Sequence, residues 1–132
     1  ESVRLSGLRG ALAAKVQEGD AAGASEALRS LLREGRSAAG NRRVLMDAGT
    51  LLASAGRHQE AAEAYEAFLS AAHNRHDADA DRVRLLLALV YQRYLGNPTR
   101  AARALAGIKG SFADPELHAL AESLKGELRP AG

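Results

Sequence analysis

The sequence predicts an all-α fold of short helices that pack against one another in pairs. Apolar or small residues recur at three- and four-residue spacing, first as Leu45, Ala48 and Leu52 and then, beyond a glycine, as Ala61 and Tyr65. A stripe at that spacing lies on one side of a helix and needs a second helix to cover it. The composition agrees, because aromatic residues make up 4% of the chain and Val and Ile are few, whereas sheet cores favour those residues.

A large residue, a glycine and an alanine recur three times with constant separations. Gly56 follows Leu45 by 11 residues, and Ala61 follows it by 16. The same separations are found in two other sets, Leu8 with Gly19 and Ala24, and Leu85 with Gly96 and Ala101. Each set predicts a helix, a tight turn at the glycine and a second helix. The alanine lets the two helices approach closely, and a large residue four positions later fills the space one turn further on.

The first unit is expected at about residues 3–34. Its first helix contains Gly7 and Gly10, each of which weakens a helix by up to roughly 1 kcal/mol relative to Ala. Asp20 follows the glycine turn and is expected to cap the second helix, because a carboxylate there accepts hydrogen bonds from the first free N–H groups.

The middle unit is expected at about residues 41–72, with Asn41 as the cap of its first helix. Its second helix carries Glu60, Glu63 and Glu66. Charged residues at this spacing are typical of solvated helix surface, so we expect these three side chains to face water.

The third unit is expected at about residues 81–109. Asp79 or Asp81 is predicted to cap its first helix. Asn97 and Pro98 then provide a cap followed by a proline at the first helical position, where the missing N–H costs nothing.

The same device recurs at Asp114 and Pro115 and predicts a last helix over about residues 115–128. This helix has no second helix of its own in the sequence. Repeat arrays end in an element that covers the last apolar face and shows a polar face to water. We therefore expect a capping helix, which brings the total to about seven.

Charge and composition exclude several classes of function. The chain has 18 basic and 16 acidic residues, for a formal net charge of +2, so it is not a polycation. It contains no Cys, which excludes disulfides, thiolate catalysis and Cys-based zinc sites. The longest apolar run, residues 85–90, is far shorter than the ~20 residues of a membrane helix.

The chain begins at Glu1 without a leader. We expect it to be a soluble region excised from a larger protein, or a mature product, with the cytoplasm favoured and a periplasmic or membrane-tethered location left open. Arg accounts for 15 of the 18 basic residues, a composition typical of a GC-rich bacterial genome.

The middle unit resembles the tetratricopeptide repeat, whose signature is a large apolar residue, Leu-Gly and Tyr in one helix, then Ala and an aromatic residue in the next. The matching residues here are Leu45, Ala48, Gly49, Leu52, Ala61 and Tyr65. Leu12 and Leu89 replace the glycine in the outer units. The resemblance covers roughly residues 3–109. It implies one domain, a right-handed α-solenoid of antiparallel helical hairpins, that acts as a non-catalytic protein-interaction module.

In that family the first helices of successive hairpins line a concave groove that commonly holds a peptide or helix of a partner protein. The positions that the resemblance assigns to this groove are Arg43, Met46, Thr50, Val83, Leu86, Val90 and Tyr94. The face from Val83 to Tyr94 is almost wholly apolar, so either a partner or the protein itself must cover it. Self-association through this face is one alternative, and an RNA-binding helical repeat is a less favoured one.

Three arginines, Arg9, Arg43 and Arg93, are expected on the same side of the first helices. They would favour an acidic partner, although isolated surface Arg more often serves solubility.

His73, His76, Asp77, Asp79 and Asp81 form the only metal-like cluster in the sequence. A calcium loop would need Gly at the position of Arg82 and Glu at that of Ala88, and a zinc site would rest on two His and an Asp. A solvated connecting loop is the favoured interpretation. No serine has a matched His and carboxylate, and no phosphate-binding glycine motif occurs. We therefore expect no catalysis, no metal, no cofactor and no nucleic-acid partner.

Overall fold

A computed structural model describes residues 3–35, 41–71 and 78–129. These residues form seven α-helices and no strand, which confirms the all-α prediction for this part of the chain. The helices are α1 (Val3–Glu18), α2 (Ala21–Leu32), α3 (Arg42–Ser54), α4 (His58–Ala71), α5 (Ala78–Arg93), α6 (Pro98–Ala106) and α7 (Pro115–Leu128). Within the described ranges, no helix is long and apolar enough to cross a membrane.

The chain divides into two compact units, Glu1–His73 and Asn74–Gly132. Unit 1 contains α1 to α4, and unit 2 contains α5 to α7. Each unit has a core of its own, and the single domain expected from the sequence stays a prediction.

In unit 1, α1 packs on α2 and α3 packs on α4, while α3 also contacts α1 and α2. The largest fully buried side chains of this core are Leu12, Leu28, Leu31, Leu45, Leu52, Tyr65 and Phe68. The first pair is the looser one, because Leu8 is only half-buried. Its middle-unit counterpart Leu45 is fully buried.

In unit 2, α5 packs on α6, and α7 contacts both. Val83, Leu85, Ala101 and Leu124 are fully buried there. Leu105, by contrast, remains half-buried.

The three turns predicted from the recurring glycines share one backbone conformation. Gly19, Gly56 and Gly96 have φ angles of 74°, 79° and 61°, in the left-handed region that side chains with a Cβ avoid. The alanines that follow, Ala24, Ala61 and Ala101, are all 0% exposed. The predicted turns and the burial of these alanines are therefore confirmed.

Four of the five predicted helix caps are confirmed. Asp20, Asn41, Asn97 and Asp114 each accept a backbone N–H from the first turn that follows. The cap expected at Asp79 or Asp81 is wrong, because α5 already begins at Ala78. Both carboxylates lie inside its first turn.

Candidate functional site

A concave surface of unit 1 lies between α1 and α3 and has a volume of about 550 Å³. We call it the α1/α3 groove. The residues lining it are Ala13, Val16, Gln17, Val44, Asp47, Thr50 and Leu51. Leu45 is fully buried, and the groove residues of α3 lie on other sides of that helix, away from Leu45.

Thr50 is the groove residue that is held most firmly. Its hydroxyl donates to the Met46 carbonyl oxygen at 3.2 Å and lies 3.1 Å from the Tyr65 hydroxyl. The Tyr65 ring is only 2% exposed. A Cβ on Gly49 would lie 2.6 Å from Cδ1 of that ring, so the ring that contacts Thr50 is packed closely against α3.

The charge of this groove differs from the expectation. Asp47 is the charged side chain among the described residues that line it. Arg43 is exposed, lies outside the lining and has its Nε 3.5 Å from an Asp47 carboxylate oxygen. The groove therefore presents a carboxylate that an arginine of its own helix partly neutralises, rather than free arginines for an acidic partner.

Arg93 is engaged within unit 2. Its guanidinium donates to the Glu127 carboxylate at 2.7 Å and to the Ser123 hydroxyl at 3.2 Å, which ties α5 to α7. The hydrogen bond between Arg93 and Glu127 holds the pKa of Glu127 below its ordinary value and raises the pKa of Arg93. Arg93 is therefore a structural contact, whereas the expectation placed it at a partner surface.

The other predicted groove residues fall into two groups. Met46 is 8% exposed, Val83 is 0% exposed and Val90 is 3% exposed, so these side chains offer almost no surface to a partner. Leu86 is half-buried, and Tyr94 is 58% exposed. The apolar face expected on α5 is thus open at Leu86 and Tyr94 and covered elsewhere.

Asp81 has a structural role that sequence reasoning missed. Its buried carboxylate accepts the backbone N–H groups of Lys109 and Gly110 at 3.2 and 3.0 Å, and Arg84 Nη1 lies 3.3 Å away. The one available signal was its position one turn before Leu85, on the stripe that faces the core.

Glu60 likewise differs from the solvated surface expected for it. It is half-buried and accepts a hydrogen bond from the Ser25 hydroxyl at 3.1 Å. Arg57 Nη1 lies 3.3 Å from the same carboxylate. Glu63, in contrast, is exposed as expected.

The metal-like cluster is only partly within the described residues, because His73, His76 and Asp77 lie outside them. Asp79 is exposed, and the Asp81 carboxylate already accepts hydrogen bonds from backbone N–H groups. Among the residues that the structure describes, no group of three or more His, Asp or Glu side chains could hold a metal ion.

Comparisons of the chain with protein-family models, with curated proteins and with solved structures gave no match. Function is therefore argued from the residues and their geometry.

Proposed function

We propose that this protein is a non-catalytic interaction module, a right-handed α-solenoid of the tetratricopeptide type, that binds a peptide or helix of a partner protein. The observation that carries the proposal is the α1/α3 groove of unit 1. Repeated helix–glycine–helix units with buried alanines support the tetratricopeptide type.

The chemistry of the α1/α3 groove suits a peptide. Four of its lining residues are apolar, namely Ala13, Val16, Val44 and Leu51. They provide surface on which the apolar side chains of a bound segment lose water. Gln17, Asp47 and Thr50 add a few polar groups that fix orientation, and a volume of about 550 Å³ is in the range of binding sites.

The groove is also preorganised. Thr50 is held by Met46 and Tyr65, and the Tyr65 ring packs against Gly49. A surface that is already ordered loses little conformational entropy on binding, which raises affinity without further contacts.

Unit 2 contributes the accessible apolar side chains Leu86 and Tyr94. The proposal assigns them to partner contact as well, because aromatic residues with a polar tip are enriched where proteins meet.

The test begins with capture of partners from the native host, identification by mass spectrometry and calorimetric titration of the identified segment. We expect Leu51→Glu to weaken binding at least tenfold, because a carboxylate in the apolar lining cannot be solvated once a peptide covers it. Leu32→Glu is the matched control, since Leu32 is also half-buried but lies outside the groove lining. Undiminished binding by Leu51→Glu, with the helical circular dichroism unchanged, would remove this groove from consideration.

A second variant tests the assignment on α5. Leu86→Glu is expected to reduce partner affinity while leaving the helical content unchanged. Full affinity in this variant would limit the binding surface to unit 1.

Self-association is the second candidate function, favoured by the exposed ring of Tyr94. It predicts a rise in mass with concentration in light scattering at micromolar protein, reversed by Tyr94→Ser. A strict monomer over that range excludes it.

A further inference from the structure

Helix α7 has the sequence pattern of the first helix of a pair. Leu117, Leu120, Ala121 and Leu124 repeat the spacing of Leu45, Ala48, Gly49 and Leu52 in α3. The packing agrees, because α3 contacts α1 and α2 just as α7 contacts α5 and α6. Helix α4 then packs on α3.

Unit 1 shows what kind of helix completes such an arrangement. Helix α4 lies on α3 and meets α2 through Glu60, which accepts from the Ser25 hydroxyl at 3.1 Å and lies 3.7 Å from Arg29 Nη2. The occupant is amphipathic, with Ala61 and Tyr65 buried and Glu63 in solvent.

The corresponding position in unit 2 is an open groove between α6 and α7, of about 350 Å³. We call it the α6/α7 groove. Its lining consists of Ala102, Leu105, Ala106, Leu128, Lys125 and Arg129. Four of these described residues are apolar, two are cations and none is a carboxylate. Lys125 lies in the last turn of α7, and Arg129 is the residue that directly follows this helix.

We propose that the α6/α7 groove seats an acidic amphipathic helix of a partner protein, as the side of α3 in unit 1 seats α4. This site is distinct from the α1/α3 groove and does not depend on the function proposed above. The apolar floor supplies the contact area, and the two cations select carboxylates at helical spacing.

The structure also specifies which residues the partner helix carries. Tyr65 fits against α3 because Gly49 has no Cβ, and a Cβ there would lie 2.6 Å from ring atom Cδ1. Ala121 stands at the equivalent position of α7 and has that Cβ. In the two pairs that lack this glycine, the second helix carries Leu28 or Leu105 instead. The partner helix therefore carries a small residue and, four positions later, a leucine rather than a tyrosine.

Lys125 is already 3.1 Å from Glu122 within α7, and this contact lowers the pKa of Glu122. Both side chains are exposed, so the pair is weak and exchanges readily for a carboxylate on the partner. Affinity for the acidic helix therefore falls as the salt concentration rises.

The probe is a fluorescein-labelled synthetic peptide with the sequence of residues 57–71 of this chain and the change Tyr65→Leu. Fluorescence anisotropy measures its binding to the full chain. A second peptide, in which Glu60, Glu63 and Glu66 are replaced by Lys, is the charge control. We expect the acidic peptide to bind at least tenfold more tightly than the basic one. Equal affinities for the two peptides, or no binding of the acidic peptide, overturn the proposal.

Matched variants locate the site. The double variant Lys125→Glu with Arg129→Glu is expected to weaken binding of the acidic peptide at least tenfold. The control, Arg33→Glu with Arg103→Glu, changes the net charge equally at exposed residues outside the groove lining and should leave affinity within twofold. Equal losses in both double variants would mean non-specific attraction and overturn the proposal.

Two further measurements separate other occupants from the proposed one. If Leu51→Glu abolishes peptide binding while the Lys125 and Arg129 variant does not, the peptide lies in the α1/α3 groove and the proposal fails. If light scattering shows dimers that the same Lys125 and Arg129 variant dissociates, the groove is occupied by a second copy, which also overturns it. A monomer whose binding is lost only with the α6/α7 variant supports it.

Discussion

The two units stabilise their cores by different means. In unit 1 the middle helix pair is stabilised by close packing, in which an aromatic ring lies against a glycine. In unit 2 an apolar core that includes Val83, Leu85 and Leu124 is supplemented by side-chain carboxylates that bind backbone N–H groups or arginine. We therefore expect the two units of one chain to respond differently to mutation, pH and salt.

Close packing dominates in unit 1. Gly49 is buried, and the ring of Tyr65 occupies the space where a Cβ would be. Phe68 is 1% exposed, and the Arg42 guanidinium lies 4.6 Å from its ring centroid. Contacts of this kind depend on atomic fit and little on pH.

Polar contacts are prominent in unit 2. Asp81 holds the connection between α6 and α7 through Lys109 and Gly110, and Arg93 joins α5 to α7 through Glu127. A buried polar group that loses its partner costs about 1 to 3 kcal/mol. Loss of the Asp81 carboxylate is therefore expected to destabilise unit 2.

The strongest test of this comparison is the replacement of the packed ring. Tyr65→Ala removes a fully buried aromatic side chain and is expected to lower the free energy of unfolding by about 3 to 5 kcal/mol. Tyr94→Ala makes the same change at a residue that is 58% exposed, where surface changes cost about 0.5 kcal/mol or less. Urea denaturation of both variants measures the difference. Similar losses in the free energy of unfolding would contradict a unit 1 core that is stabilised by close packing.

The next largest effect is expected in unit 2. Asp81→Ala leaves two backbone N–H groups and Arg84 without their acceptor and should cost about 2 to 3 kcal/mol. Hydrogen exchange should speed up at the amides of Lys109 and Gly110 first. Asp79→Ala, at an exposed carboxylate of the same helix turn, is the control. Unchanged exchange in Asp81→Ala would show that this carboxylate does not hold the connection.

A smaller effect separates the cost of a close contact at Gly49 from the gain in helix propensity. Gly49→Ala places a Cβ against the Tyr65 ring, and we expect a net loss of about 1 to 2 kcal/mol, although Ala favours a helix by about 1 kcal/mol over Gly. Gly7→Ala makes the same change where no atom lies within 4 Å of the new Cβ. Thermal unfolding should show Gly49→Ala destabilised and Gly7→Ala slightly stabilised. A stabilised Gly49→Ala protein would contradict the close approach.

The smallest effect concerns the exposed ion pair of Arg93 and Glu127 in unit 2. Because the pKa of Glu127 is lowered in the folded protein, the contact with Arg93 contributes stability above the ordinary carboxyl pKa of about 4.3. That contribution is lost as the pH falls through the lowered pKa. Unfolding midpoints measured between pH 6 and pH 2.5 should therefore fall less steeply in Glu127→Gln than in the wild type, and added salt should narrow the gap. Identical dependence of the unfolding midpoint on pH in the two proteins would show that the contact between Arg93 and Glu127 does not stabilise unit 2.

Much of the fold could be predicted because the signals are local. The glycines at 19, 56 and 96 define turns by backbone conformation alone, and each cap acts on the first turn of its own helix. Asp81 could not be predicted in this way. Its partners Lys109 and Gly110 are 28 and 29 residues away, and no periodic pattern records such a contact.

The candidate site was less predictable than the fold. A helical wheel correctly separates Thr50 from the buried Leu45, because that depends on helix period alone. It does not indicate that Val83 and Val90 are buried while Tyr94 is exposed. Those outcomes depend on what packs against α5 in three dimensions. For the same reason the contacts of Arg93 with Glu127 and Ser123 were missed.

The turn glycines at 19, 56 and 96 have a consequence for mutational tolerance. Around each of them no atom lies within 4 Å of the place that a Cβ would occupy, so space does not restrict the side chain there. The positive φ restricts it instead, and among residues with a side chain only Asn and Asp adopt that conformation at low cost. In a saturation library these three codons should therefore accept Gly, Asn and Asp and select against β-branched residues, even though all three sites face open solvent.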